Sequence, residues 1–321
     1  MSLSDTKTIL NYRFKDMLSI IIPFHNEEQN LPILTGEIVK VLDKEVYEIV
    51  FVDDGSTDNS YSVVQQLVSN QSDQKKQIKL VKHAKRLGKG AALRSGLKEA
   101  EGNTIFFMDA DLQDDPVDLP LFINKIKQGY QAVNGYRKER KDSSGIKLIS
   151  KIGNGVIWRF FLKSPFNDIN CGFKAFSRKV IDDIPLYGDN YRFLPLAAFY
   201  MGYKTAEVIV NNRSRKYGVS KFNFLKAFFG MIDTLTAYFI FRFSEKPLHF
   251  FGSIGGVVFG AGFFLALYLT YERLFLGVLL YRRPALLLAI LLIIVGIQII
   301  MTGIVAELIV YLSHRRRSNS F

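Results

Sequence analysis

The first part of the chain alternates continuous apolar runs with segments of helical spacing. Short uninterrupted apolar runs are typical of strands that are buried on both faces of a parallel sheet. The predicted strands are Leu18–Ile22, Tyr47–Val52, Ile78–Val81, Thr104–Met108 and Tyr130–Asn134. The predicted helices are Glu27–Leu42, Asp58–Val68, Gly88–Ala100 and one helix after Pro116. This order predicts a doubly wound α/β domain, whose ligands bind at the carboxyl ends of the strands.

Two long stretches nearer the end of the sequence carry no Asp, Glu, Lys or Arg, namely Pro247–Tyr271 and Pro284–Ala306. Since a helix rises about 1.5 Å per residue, each stretch is long enough to cross a hydrocarbon core of about 30 Å. We interpret both as transmembrane helices, with buried helices of a large soluble core as the alternative. Glycines of the first stretch, Gly252, Gly255, Gly256, Gly260 and Gly262, offer close-approach surfaces that favour a homo-oligomer.

The segment Lys221–Phe243 places phenylalanine, leucine and isoleucine on one side, with basic residues interspersed. It is too amphipathic to span a membrane, so we predict one or two helices lying in the headgroup layer. A core helix packed on the α/β domain is the alternative. The predicted domains are an N-terminal extension (1–17), the α/β domain (18–215), interfacial helices (216–246), a two-helix transmembrane domain (247–313) and a basic cytosolic tail (314–321).

Composition and charge narrow the class of protein. The 321 residues are 48% hydrophobic and 22% charged, which excludes disordered and collagenous chains. A single cysteine, Cys171, cannot form an internal disulfide, as is typical of cytosolic proteins. The net charge of +12 indicates an anionic partner, and its concentration beside the apolar stretches favours lipid or a phosphorylated substrate over nucleic acid. The same basic residues predict that both termini lie in the cytosol. The segment Met1–Met17 is polar and lacks the apolar core of a signal peptide, so none is predicted.

Polar residues follow the first two predicted strands. The first is followed by Pro23, His25 and Glu27, in a segment that can cap the next helix or bind a ligand. The second is followed by Asp53 and Asp54, then by a glycine and small hydroxyl residues. Adjacent carboxylates in a tight turn suit recognition of a ribose or a base, although the hydroxyls are also good helix starts.

The fourth predicted strand is followed by Asp109-Ala110-Asp111-Leu112-Gln113. Alternation along an extended chain predicts that the Asp109 and Asp111 side chains converge on one side. Two carboxylates so close repel each other unless a cation neutralises them. Hard oxygen ligands suit Mg²⁺ or Mn²⁺, so this segment predicts a metal that bridges a diphosphate.

Taken together, these motifs resemble the family 2 glycosyltransferases of GT-A fold. The motifs are Pro23-x-His25-Asn26-Glu27, Val52 to Asp58, Gly88 to Ala92, Asp109 to Gln113, and Arg215-x-x-Gly218-x-Ser220-Lys221. More narrowly, the chain is similar to the polyprenyl-phosphate hexosyltransferases, which include the dolichol-phosphate mannosyltransferase and bactoprenol glucosyltransferase group. The two apolar stretches match the bactoprenol branch.

The resemblance implies roles for individual residues. It implies a metal and diphosphate site at Asp109, Asp111 and Gln113. It implies a nucleotide site at Pro23, His25, Glu27, Asp53, Asp54 and Lys89. It implies an acceptor-phosphate site at Arg137, Arg213, Arg215, Ser220 and Lys221. Asp168, in a segment that resembles the family's Asp-x-x-x-Gly-Phe, is implied as a base or an orienting carboxylate, so the implied catalytic set is Asp111, Asp168, Arg137 and Arg215.

The activity expected from the resemblance is an inverting, metal-dependent transfer of one hexose to undecaprenyl phosphate at the cytosolic leaflet. Glucose from UDP-glucose is the predicted donor, with GDP-mannose or another nucleotide sugar as the alternative. A non-catalytic membrane scaffold or lipid flippase is the alternative of a different class. The chain lacks the Gln-x-x-Arg-Trp signature of processive polysaccharide synthases, which favours transfer of a single sugar.

Overall fold

The structure is a computed structural model that describes residues 17–70, 76–138, 164–184, 186, 188–213, 239, 243, 246–277 and 284–318, with side chains to residue 312. The chain divides into two compact units, Met1–Thr234 and Leu235–Phe321. The strands described in the first unit are β1 Leu18–Phe24, β2 Tyr47–Asp53, β3 Lys76–Lys82, β4 Thr104–Phe107, β5 Ala132–Tyr136, β6 Lys174–Ser177 and β7 Thr205–Ile209. Its described α-helices are α1 Asn30–Val41, α2 Ser60–Ser69, α3 Lys89–Glu99, α4 Leu119–Lys127, α5 Arg178–Asp183 and α6 Leu194–Tyr200.

The seven strands form one sheet in the order β3-β2-β1-β4-β6-β5-β7. Strands β1 to β4 run parallel, as predicted, and β5 runs parallel to β7. Strand β6 is antiparallel to both of its neighbours, β4 and β5, so the sheet is mixed. The sequence predicted neither β6 nor β7, because both are short and carry charged residues where a buried run is expected.

Apolar packing against β1 and β2 explains why the predicted helices form. Every residue of β2 is buried. Helix α1 turns Leu31, Leu34 and Ile38 toward the sheet, at the spacing of one helical face. Each such side chain contributes about 1.5–3 kcal/mol on burial. The predicted strand at Tyr130–Asn134 is displaced to β5, because Tyr130 lies in the turn that ends α4, where its N–H donates to Lys125 O.

The second unit contains two long apolar helices, α7 Pro247–Phe275 and α8 Pro284–Ser318. Both are long and apolar enough to cross a membrane, with mean hydropathies of 2.0 and 2.8 over an 18-residue window within Pro247–Phe275 and within Pro284–Leu312. Only 11% of each apolar window is buried, which disagrees with the alternative of buried core helices. The Glu307 carboxylate of α8 accepts a hydrogen bond of 3.1 Å from Leu248 N, near the amino end of α7.

Glycines bring α7 and α8 close together. A Cβ added at Gly255 would lie 2.8 Å from Gly296 O, and one at Gly262 would lie 2.8 Å from Ile293 N. Gly256 and Gly260 have nothing within 4 Å, so two faces of α7 carry small residues and one of them meets α8. The predicted homo-oligomer stays a prediction.

Several predictions lie outside the described residues. These are the N-terminal extension, apart from Met17, nearly all of the predicted interfacial helices, the side chains of the basic tail, and the candidate site residues Arg215, Ser220 and Lys221.

The close packing of α3 on the sheet predicts a contrast between two helical glycines. A methyl group added at Gly96 would overlap Ile21 Cγ2 and lie 3.1 Å from Val52 Cγ2, whereas Gly36 on α1 has open space around it. We expect Gly96→Ala to destabilise the protein by about 1–3 kcal/mol. We expect Gly36→Ala to stabilise it by about 0.5–1 kcal/mol. Denaturant unfolding of the full chain in detergent measures both, and equal effects of the two substitutions would contradict this packing.

Candidate active site

The loops after β1 and β2 are joined by side chains, because these parallel neighbours end at the same edge of the sheet. The His25 Nδ1 atom lies 3.1 Å from Asp54 O. Asn26 adopts a left-handed backbone conformation with φ of 58° and accepts a hydrogen bond of 2.8 Å from Thr57 N. The Glu27 N–H donates to Ser60 Oγ at 2.8 Å. Pro23 pairs with Val52 between the two strands. The predicted nucleotide residues of these loops therefore form one connected surface.

Asp53 is fully buried at the end of β2. Its Oδ1 atom accepts a hydrogen bond of 2.8 Å from Ser56 N. Its Oδ2 atom is buried and has no hydrogen-bond partner among the described residues. An unsatisfied buried acceptor costs about 1–3 kcal/mol. Because Asp53 has no exposed surface, its predicted contact with a nucleotide stays a prediction.

Asp54, unlike Asp53, uses its carboxylate to bind the backbone of another loop. Its carboxylate accepts hydrogen bonds from Leu87 N at 2.8 Å and Gly88 N at 2.9 Å, and its Oδ1 lies 3.0 Å from His83 Nδ1. Burial opposes ionisation, but these hydrogen bonds outweigh it and lower the pKa of Asp54 below its usual range. Asp54 therefore holds the loop that leads to Lys89, the first residue of α3.

Lys89 and Asp109 form an ion pair at the carboxyl edge of the sheet. The Lys89 ammonium also lies 5.1 Å from the Tyr191 ring centroid. Burial disfavours the charge of Lys89, but the Asp109 carboxylate outweighs that cost and raises the lysine pKa. Burial likewise opposes ionisation of Asp109, and Lys89 lowers its pKa below the ordinary value. Both groups are therefore charged at neutral pH.

The Asp109 carboxylate packs against the backbone of Gly172. A Cβ added at Gly172 would lie 2.7 Å from Asp109 Oδ2, so any larger residue at this position would displace the Asp109 carboxylate. The segment that contains Asp168 and Gly172 therefore lies directly beside the predicted metal-binding segment.

The turn after Asp109 concentrates negative charge. Asp111 is 8% exposed and accepts a hydrogen bond of 3.2 Å from Gln113 N, and Leu112 has a φ of 62°. Asp114 Oδ2 accepts from Asp109 N at 3.2 Å. Burial, and then the charge of Asp109, raise the pKa of Asp114 to about 7. The sequence analysis did not select Asp114 as a site residue, although its position among the acidic residues that follow the strand indicated one.

These hard oxygen ligands fit Mg²⁺ or Mn²⁺ by their chemistry. Within the described ranges, no three Asp, Glu, His or Cys side chains converge as ligands of one ion. Mg²⁺ in proteins is commonly held by one or two carboxylates together with substrate phosphates. Burial, and then the charges of Asp109 and Asp111, raise the pKa of Asp114, so repulsion between carboxylates contributes to the electrostatics of this turn. The segment therefore fits a metal whose coordination is completed by a diphosphate.

Arg137, which follows β5, forms a bidentate ion pair with Asp168. The Nε–Oδ2 distance is 2.8 Å and the Nη2–Oδ1 distance is 3.2 Å. Burial disfavours the charge of Arg137, but Asp168 outweighs it and raises the arginine pKa. Because both Asp168 oxygens accept from the guanidinium, this geometry favours the orienting role over the role of a base.

Arg213 is held by two carboxylates. Its Nε lies 2.9 Å from Asp115 Oδ2, and its Nη1 lies 2.7 Å from Glu37 Oε2. These ion pairs connect the segment after β7 to α1 and to the 3-10 helix Pro116–Asp118. The predicted contact of Arg213 with an acceptor phosphate stays a prediction.

Comparison with known proteins gives relatives along almost the whole chain. The dodecaprenyl-phosphate galacturonate synthase of Rhizobium johnstonii is 30% identical and covers 91% of this chain and 87% of its own. The undecaprenyl-phosphate 4-deoxy-4-formamido-L-arabinose transferase of Pectobacterium carotovorum is 34% identical and covers 95% of this chain and 92% of its own.

Solved structures share the fold of the first unit. The glucosyl-3-phosphoglycerate synthase from Mycobacterium tuberculosis, in complex with Mn²⁺, UDP-glucose and phosphoglyceric acid, is 17% identical with a TM-score of 0.53, over 70% of this chain and 79% of that chain. The same synthase with Mg²⁺ and UDP gives a TM-score of 0.54 at 17% identity, over 75% and 83% of the two chains. The predicted GT-A fold is confirmed. The family model described as Glycosyl transferase family 2 matches residues 19–184, and the chain therefore belongs to glycosyltransferase family 2.

Proposed function

We propose that the protein is a membrane-bound glycosyltransferase that moves one sugar from a nucleotide-sugar donor to a polyprenyl phosphate. The observation that carries this proposal is the contact between Gly172 and the Asp109 carboxylate. This contact brings two parts of the site together. One is the carboxylate-rich turn, which suits a metal and a diphosphate. The other is the segment that holds Arg137, whose positive charge suits a phosphate. Relatives named for dodecaprenyl-phosphate and undecaprenyl-phosphate substrates support the lipid acceptor.

The two apolar helices support a location in the inner membrane. The orientation with both termini in the cytosol rests on the distribution of basic residues along the sequence. A phosphate linked to a polyprenyl chain lies at the membrane surface. An enzyme anchored in the same membrane therefore meets its acceptor by diffusion in two dimensions.

Arg137 binds the acceptor phosphate in this mechanism, and Asp168 holds the guanidinium in position. A phosphate monoester has a second pKa of about 6, so it is already ionised near neutral pH and needs no base. One phosphate oxygen attacks the anomeric carbon in line, and the bond from that carbon to the donor diphosphate breaks with inversion. Positioning and neutralisation of charge then supply the rate acceleration.

Asp109, Asp111 and Gln113 would hold Mg²⁺ or Mn²⁺ on the donor side. When bound, such an ion stabilises the negative charge of the departing nucleoside diphosphate. Lys89 adds a fixed positive charge beside Asp109. The loop held by Asp54, next to Asp53, completes the proposed nucleotide surface.

The donor sugar is the finer part of the proposal. Glucose from UDP-glucose is the donor predicted from the sequence. The relatives are named for galacturonate and for 4-deoxy-4-formamido-L-arabinose, so these two sugars are the second candidates.

A donor panel tests the activity and the sugar together. Purified full-length protein with undecaprenyl phosphate is given the nucleotide-activated forms of glucose, galacturonate, 4-deoxy-4-formamido-L-arabinose and mannose, and the labelled sugar-lipid is extracted and counted. We expect product from UDP-glucose. Product from another donor alone would contradict the glucose assignment, and no product from any donor would contradict the proposed function.

Removal of the metal or of its proposed ligand is expected to stop transfer. A chelator should abolish product formation, and added Mn²⁺ or Mg²⁺ should restore it. Asp111→Ala should lower kcat by about 100-fold or more, because the leaving diphosphate loses its stabilisation. Asp43→Ala, which removes an exposed ion pair with Lys76, is the matched control and should keep the wild-type rate. Wild-type turnover by the Asp111 variant would rule out the metal role.

The bidentate geometry of Arg137 predicts a specific kinetic effect. Arg137→Lys keeps the charge but loses the fork that binds Asp168 and the phosphate, so the KM for the acceptor should rise about 10-fold while the donor KM stays unchanged. Asp168→Asn should lower activity in part and to a similar extent at every pH, because Asp168 orients Arg137 and the ionised acceptor needs no base. Arg178→Lys, on α5, is the control. Activity of Asp168→Asn that recovers as the pH is raised would instead identify Asp168 as a base, since a more basic medium replaces the missing group.

A further inference from the structure

A row of polar residues crosses three neighbouring strands of the sheet. Lys174 of β6 pairs in register with Asn134 of β5, and Asn134 pairs with Glu207 of β7. Residues in register on neighbouring strands point to the same face of the sheet. Lys174 is 1% exposed and Asn134 is fully buried, so most of this row replaces apolar core.

Hydrogen bonds connect the row to the segment that contains Asp168. The Lys174 ammonium donates to Asn134 Oδ1 at 2.6 Å and to Ile169 O at 2.9 Å. The Asn134 carboxamide donates to Asp168 O at 2.8 Å. Two backbone carbonyls of the segment are therefore held by buried donors.

Glu207 holds the same segment through its N–H groups. Its Oε1 accepts hydrogen bonds from Asn167 N at 2.8 Å and from Asp168 N at 3.1 Å. Its Oε2 accepts from Asn167 Nδ2 at 2.6 Å. The row therefore contacts the main chain at each residue from Asn167 to Ile169, and the backbone of Asp168 is held at both its N–H and its carbonyl.

Burying the charged Lys174 ammonium costs free energy of folding that a purely structural contact would not require. Its hydrogen-bond acceptors are neutral, and within the described part of the chain no carboxylate lies in ion-pair distance of its ammonium. Burial lowers its pKa to about 8. A buried cation without a carboxylate partner costs stability that an apolar side chain of similar length would not. A role in the adjacent site explains why the position carries a lysine.

We propose that Lys174, Asn134 and Glu207 form a positioning row that fixes the Asn167–Ile169 backbone and thereby directs Arg137 at the acceptor phosphate. The proposal rests on the proposed function, since it assigns the phosphate to Arg137. Asp168 transmits the effect, because its backbone is held by the row while its carboxylate holds both Nε and Nη2 of the guanidinium.

A double-mutant cycle tests whether Lys174 acts through Arg137. In the full-length enzyme, Lys174→Met should lower kcat/KM for undecaprenyl phosphate roughly 10- to 100-fold while the donor KM stays unchanged. In an Arg137→Ala background the same substitution should change kcat/KM by less than about 2-fold, because the group that it positions is gone. Equal losses in the two backgrounds would overturn the proposal.

Two further variants separate positioning from general stability. Glu207→Gln keeps the size of the side chain but places an amide against the Asn167 carboxamide, so it should raise the acceptor KM in a protein that folds normally. Arg178→Met is the matched control, because Arg178 also donates to backbone carbonyls, those of Ala100 and Gly102. It should lower the unfolding midpoint and leave the acceptor KM unchanged. A rise in acceptor KM in the control as large as in the row variants would contradict the proposal.

Hydrogen–deuterium exchange tests the row without any acceptor. Peptides that cover residues 164–173 should exchange faster in Lys174→Met and Glu207→Gln than in the wild type, and peptides of β1 should not change. Unchanged exchange in the 164–173 peptides would overturn the positioning role even if transfer occurs. Faster exchange together with no transfer to polyprenyl phosphate by the wild-type enzyme would contradict the proposed function and leave the structural link from the row to Asp168 intact.

Discussion

Burial of the central strands on both faces is the constraint on which the rest of the first unit depends. Strand β2 is entirely buried, and β1 is buried except at Pro23. Polar groups in such strands have no access to water, so the chemistry is confined to the loops at the carboxyl edge. Those loops satisfy many of their own polar groups through contacts such as those of Asp54 with Leu87 and Gly88.

Electrostatics then divides that edge into two regions. In the turn after β4, burial and then the charge of Asp109 raise the pKa of Asp114, while Lys89 lowers the pKa of Asp109. Arg137, beside it, is a fixed cation whose direction is set by Asp168. In the proposed function, the first region would hold a cation with a diphosphate and Arg137 would hold the acceptor phosphate.

A different interaction holds together the two helices of the second unit. Lipid supplies no hydrophobic drive for two helices to associate, so close backbone approach has to provide the attraction. The contact of Gly255 with Gly296 O gives α7 and α8 that approach. The large apolar side chains are left mostly exposed on the outside of the pair, as a lipid environment permits.

The sequence by itself determined the alternation of strands and helices, the two apolar helices and the loops that carry the candidate site. Periodicity and uninterrupted apolar runs are local signals, so they can be read without the tertiary structure. Only the tertiary structure shows how β6 and β7 are used. Lys174 is buried in β6 and pairs with Asn134 of β5, which pairs in turn with Glu207 of β7, and these residues are distant from one another in sequence. The tertiary structure also decided the ion pairs of Arg137 and Arg213 and the raised pKa of Asp114. Register between strands, burial and the meeting of charges depend on residues far apart in the chain, and no local pattern records them.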